Sequence, residues 1–213
     1  MSWETVWRED PFNSMRIDVY VARIDTFDAP FSQGWYPAWL HDAANSLSFP
    51  DYLTKLTGFD LDFRNGWYET WRNDSAKTLS YPDYLTKLAE FDPAFRGDWY
   101  RVWLNDGATT CSLPTYLDYL AGFELDFRNG WYEPWRHDTA ASVSYPDYLT
   151  QLEDFDPDLR NERHPTWLHE RAMGETSLSF PAYLGSVPGQ TASKGHDLDV
   201  RSLRRALGKN GAV

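Results

Sequence analysis

Large apolar positions recur along this chain with two periods. At short range they keep helical spacing: Phe59, Phe63, Trp67 and Trp71 stand four apart, and Tyr81, Tyr84, Leu85, Leu88 and Phe91 follow i, i+3, i+4, i+7 and i+10. Each set is one apolar stripe on a helix. At long range the pattern returns every 32 residues, with W-x-x-x-W pairs at Trp3/Trp7, Trp35/Trp39, Trp67/Trp71, Trp99/Trp103 and Trp131/Trp135, and Trp167 standing alone. A period of that length marks one supersecondary unit stacked on copies of itself.

The polar residues between the stripes predict where the helices begin. In Ser80-Tyr81-Pro82-Asp83-Tyr84-Leu85, serine and aspartate form a capping box and proline lies in the first turn, where its missing N–H costs nothing. Ser48 with Asp51 and Ser144 with Asp147 repeat that start, whereas Thr115 and Ala182 replace the acid. The second piece, Phe59 to Asp74, reads as helical too, because Asp92-Pro93 and Asp156-Pro157 offer Asp caps with proline at the first position. Asn65-Gly66 and Asn129-Gly130 supply a competing signal, since Asn-Gly between apolar residues favours a β-hairpin. A left-handed glycine there would split the piece into a short turn and a second helix near the tryptophan. The prediction is an all-α protein of about six tandem 32-residue helical-hairpin repeats, stacked as a short solenoid or arc.

The register holds until about residue 171, where three extra residues delay the final Pro181, Tyr183 and Leu184. The last unit also has Arg163 for tryptophan and Leu159 for phenylalanine, as suits a capping repeat. A finer 64-residue period shows in DFRNGWYE, present at 62–69 and 126–133, so alternate repeats are expected to present different surfaces.

Composition narrows the partners. The 213 residues carry a net charge of -12, and the last 26 hold five basic against two acidic side chains, which leaves the preceding 187 at -15. A field of that sign repels phosphates and anionic membranes, so nucleic-acid and membrane readers are disfavoured and cationic or protein partners favoured. No stretch approaches the roughly 18 apolar residues of a spanning helix, and the single Cys111 makes no internal disulfide, so a cytoplasmic protein is expected. Residues 1–187 read as the tryptophan- and tyrosine-rich repeat domain and 188–213 as a linker with a short basic-apolar tail.

Two columns could carry binding. The acids Asp42, Asp74, Asp106 and Asp138, with Asp10 and Glu170, would line up as carboxylates for a basic peptide, a polyamine or divalent ions. The tyrosines Tyr36, Tyr68, Tyr100 and Tyr132 beside them suit cationic groups through the ring quadrupole, or sugars by stacking. The structural readings are the stronger for both: capping or salt bridges to Arg64, Arg96, Arg128 and Arg160 for the acids, and core packing for the tyrosines. Repeats copy structural residues along with everything else. His41, His137 and His169 share a column in separate repeats, so no metal ligand set, cofactor motif or catalytic constellation emerges. The functional expectation is a non-catalytic binding protein, with an inhibitor masking a basic site as the alternative and self-association of the array as a further partner class.

The tail departs from all of this. Leu198, Val200, Ser202, Leu203, Arg204 and Arg205 follow a polar linker, and this stretch resembles the cargo-loading peptides of proteins packaged in encapsulin shells, with Arg201 where glycine is usual. The resemblance covers less than a tenth of the chain and implies docking of the tail on a protein shell. It implies nothing about the repeats.

Overall fold

The computed structural model describes residues 2–187, and every regular element among the described residues is an α-helix. The chain divides into two compact units, Met1–Asn105 with Thr110–Ala121, and Asp106–Thr109 with Gly122–Val213. The first contains α1 (Trp3–Glu9), α2 (Ile17–Ile24), α3 (Ala29–His41), α4 (Phe49–Thr57), α5 (Leu61–Gly66), α6 (Tyr68–Asn73), α7 (Tyr81–Ala89), α8 (Pro93–Asn105) and α9 (Leu113–Ala121). The second contains α10 (Leu125–Gly130), α11 (Tyr132–His137), α12 (Tyr145–Glu153), α13 (Pro157–Ala172) and α14 (Phe180–Ser186).

The starts follow the capping chemistry. Ser48, Ser80 and Ser144 each accept a bond from the backbone N–H three residues on and donate their hydroxyl to that residue's carboxylate, at 2.5 Å, 2.6 Å and 2.7 Å respectively. Asp28, Asp60 and Asp156 cap α3, α5 and α13 with carboxylates that accept the backbone N–H three residues on. The Asn-Gly positions do not form hairpin turns. Helix α5 ends at Gly66 and α6 starts at Tyr68, with Trp67 between them at φ -98° and ψ -3°. α10 and α11 part in the same way at Trp131. The interruption near tryptophan arises without a left-handed glycine, because Gly174 is the glycine of positive φ, 74°, among the described residues. Asn and Gly are weak helix formers, which suffices to loosen one turn while packing holds the direction of the chain. α3 and α8 run through the same place unbroken, so the 64-residue alternation is written into the backbone.

Packing repeats as the sequence does. In the first unit α2 packs on α4, α4 on α7 and α7 on α9, and in the second α12 packs on α14. Their inward stripes are fully buried: Tyr52, Leu53 and Leu56 in α4, Tyr84, Leu85 and Leu88 in α7, Tyr148, Leu149 and Leu152 in α12. The second tryptophan of each pair latches the loop of its own hairpin. Its indole N–H donates to the carbonyl eight residues on, as in Trp39 to Leu47 (3.0 Å), Trp71 to Leu79 (3.1 Å) and Trp103 to Cys111 (3.0 Å). In the last hairpin the same bond runs from Trp167 to Leu178 (3.0 Å), eleven residues on, so the three-residue insertion is absorbed in the loop and the latch survives. The first tryptophan joins neighbours: Trp35 stacks on Tyr81 at 5.5 Å and meets the edge of Tyr68 at 5.4 Å. In the second unit Trp131 makes the matching pair of contacts with Phe180 and His164.

Candidate functional site

The four aspartates singled out from sequence lie inside. Asp42, Asp74, Asp106 and Asp138 are all at most 6% exposed, as is Asp10. Asp74 shows the geometry: one carboxylate oxygen accepts the Tyr84 hydroxyl (3.0 Å) and the Leu113 N–H (3.0 Å), the other the Ala76 N–H (3.1 Å). The N–H 39 residues on opens the inner helix of the next hairpin, so each carboxylate is a joint between modules. Asp10 to Phe49 (2.8 Å) and Asp42 to Tyr81 (2.7 Å) repeat this joint in the first unit, and Asp106 to Tyr145 (2.8 Å) in the second. The insertion stretches it to 42 residues between Asp138 and Phe180, at 2.7 Å. Burial pushes the Asp42 carboxyl above its usual range against the lowering pull of the Tyr81 and Tyr52 donors. Burial and the adjacent aspartates push the hydroxyls of Tyr20, Tyr52, Tyr84 and Tyr148 far up, so these remain donors at any working pH. Nothing in this arrangement presents a carboxylate row to a partner.

The arginine column does not serve those acids. Arg96 is 8% exposed, donates to the carbonyls of Leu88 (2.7 Å) and Phe91 (3.1 Å), and sits 4.7 Å from the Phe63 ring centroid. Arg64 over Phe31 and Arg160 over Phe127 do the same at 4.7 Å and 4.6 Å. Burial holds these guanidinium groups below their usual range. An acid-column ion pair does form at Asp138, with Arg171 from outside the column.

The tyrosines Tyr36, Tyr68, Tyr100 and Tyr132 are half-buried. Tyr68 meets Trp35, Trp71 and Tyr81 at 5.4 to 5.8 Å, and the Tyr100 ring meets Trp67 at 5.3 Å while its hydroxyl pairs with Thr70 at 3.3 Å. Their faces are occupied by the rings that close the module junctions.

What does reach the surface lies in columns the sequence reading passed over. Acids crowd the turns before the tryptophan-bearing helices: Asp60 and Asp62, Glu90 and Asp92 in the first unit, Glu124 and Asp126, then Asp154, Asp156 and Asp158 in the second. All are exposed. The residue after the second tryptophan alternates, with exposed Leu40, Leu104 and Leu168 in one set of hairpins and exposed Arg8, Arg72 and Arg136 in the other.

A groove of about 390 Å³ opens in the second unit between α10–α11 and α13, lined by Phe127, Trp131, Pro134, Pro165, Asp126 and His164 among others. Its origin is local. His164 stands in the tyrosine column and Pro134 in the place of Thr70, so the phenol that meets a threonine in the first unit is missing. The His164 Nε2 is left buried without a hydrogen-bond partner, and burial lowers its pKa against the raising effect of Asp138. The break in the tyrosine column was the signal in the sequence.

Among the described residues no cluster of histidine, cysteine and carboxylates could hold a metal ion, and no helix is long and apolar enough to cross a membrane. Leu198, Val200, Leu203, Arg204 and Arg205 lie outside the described residues. No family model, characterised protein or solved structure was found to match this chain.

Proposed function

We propose that this protein is a non-catalytic binding module that holds a basic protein partner against an acidic surface. The observation that carries the reading is the charge left outside after the interior is accounted for. Five aspartates and four arginines are buried, so folding conceals only one of the 15 net negative charges of residues 1–187. Nearly the whole field faces solvent, and much of it is gathered at the turns. A field of that size steers a cationic surface into contact and makes association salt-dependent. The proposal includes hairpins stacked in series as a short solenoid or arc, supported by the aspartate joint that recurs within each unit, 39 residues long except for the last at 42. It also places the protein in the cytoplasm, where Cys111 stays reduced.

Retention of the full chain on immobilised polylysine tests it. Reversing Asp60, Asp62 and Asp92 to lysine is expected to lower the salt needed for elution far more than reversing Glu4, Glu9 and Asp18, which lie away from those turns. Equal effects from the two sets would reduce the surface to net charge alone and overturn the reading. Stoichiometric loss of activity in a basic enzyme partner would identify the inhibitor form.

A further inference from the structure

We propose that the groove between α10–α11 and α13 is a docking cleft for the chain's own basic segment, residues 198–207. This stands apart from the reading above and can fail without it. The cleft lies where Pro134 and His164 stand 64 residues after Thr70 and Tyr100, the pair whose hydroxyls meet in the first unit. It is a groove of about 390 Å³ with apolar walls from Phe127, Trp131, Pro134 and Pro165. That size is at the small end of ligand pockets and fits a few aliphatic side chains better than a large ring system. Leu125 and Leu168, near the lining residues Asp126 and Pro165 along α10 and α13, are 58% and 47% exposed. Asp126 and Arg160 both line the groove, with the Arg160 guanidinium held by the Leu152 and Phe155 carbonyls, and exposed Glu162 and Glu133, the latter paired with Arg136 at 3.5 Å, adjoin Asn161 and Pro134.

The occupant with matching chemistry is on the same chain. Leu198, Val200, Leu203 and Leu207 alternate with Arg201, Arg204 and Arg205, and this final stretch is positive where the rest of the chain is strongly negative. Reach is no obstacle. The seven residues of α14 are about 10 Å long, while the ten residues from Pro188 to Asp197 can span up to about 33 Å. Tethering at that distance gives an effective concentration of about a millimolar, so weak contacts suffice to fill the groove. The segment then competes with any basic partner for the same unit.

Timed trypsin cleavage after Arg201, Arg204 and Arg205 in the full-length protein, read by mass spectrometry, tests this. Docked, these sites should be cut about tenfold more slowly than in the synthetic peptide 198–213, since cleavage tracks the undocked population. The double variant Pro134→Thr/His164→Tyr refills the junction and should raise cleavage to the peptide rate. Leu203→Asp should do the same while leaving the folded body untouched, which covers a failure of the double variant to fold. Cleavage of the unmodified protein at the peptide rate overturns the proposal, and so does protection that persists in Leu203→Asp. Protection that fades on dilution assigns the groove to a second copy and overturns docking within one chain.

Discussion

Asp74→Ala is the sharpest test of the joints. The side chain is 1% exposed, and its removal strands two donors at fully buried residues, the Tyr84 hydroxyl and the Leu113 N–H, while the Ala76 N–H sits in a half-buried loop. An unsatisfied buried donor costs about 1–3 kcal/mol, so the two together should cost about 2–6 kcal/mol. Against a total stability of about 5–15 kcal/mol for an ordinary domain, that is a large fraction. Urea denaturation followed by tryptophan fluorescence reads it, because the Trp71 indole lies in the hairpin that carries Asp74, in contact with Tyr81 at 5.1 Å. Repeating the substitution in a Tyr84→Phe background removes one stranded donor and should return about 1–3 kcal/mol of the loss as coupling. Asp98→Ala, on the exposed side of α8, should stay within about 0.5 kcal/mol. The joint argument fails if Asp74→Ala costs under about 1 kcal/mol, or if the exposed control costs as much.

Gly66→Ala should stabilise the protein by about 0.5–1 kcal/mol, because the glycine is helical, without positive φ, and an added Cβ meets nothing within 4 Å; a loss of similar size in thermal melts would mean a left-handed turn after all. Arg96→Lys keeps the charge but loses the planar guanidinium that reaches both carbonyls from over the Phe63 ring, so a loss of about 1.5–3 kcal/mol is expected in urea denaturation, and a neutral result would assign the column to charge alone. Stability should fall with acid through His164. Its folded pKa lies below the unfolded 6.5, so the unfolded chain binds the extra proton first and stability drops as pH falls below about 6.5. His164→Phe should flatten that limb of a stability-against-pH series, and an unchanged slope would place the titration elsewhere.

The helices were legible because their signals are local. A serine three residues before an aspartate, a proline in the first turn and an apolar stripe at helical spacing each act within one element, and α4, α7 and α12 begin where those signals stand. The split at Trp67 was half legible: the weak Asn-Gly turn was visible, but packing, which keeps the glycine right-handed, was not. A structural role for the aspartates was legible as the stronger reading, but the partners that define it were not. Their decisive partner lies 39 residues away, a separation with no helical or strand period, so only the folded junction shows that Asp42 and Tyr81 belong together. Sequence spacing distinguishes a repeated acid from a repeated base, not a buried joint from an exposed row.

A column that recurs in every hairpin is one that every junction uses, and burial of Asp10, Asp42, Asp74, Asp106 and Asp138 shows how completely a junction consumes it. Partner recognition therefore has to come from columns free to vary. Two such columns change here in opposite senses. The residue after the second tryptophan alternates between exposed leucine and exposed arginine with the 64-residue period, so the surface repeats in pairs of hairpins although the core repeats singly. The tyrosine column changes at the two ends of the series, to Glu4 and to His164, and His164 lines the groove. The invariant positions explain why the modules cohere; the places where the pattern breaks are where chemistry distinct from cohesion can be lodged.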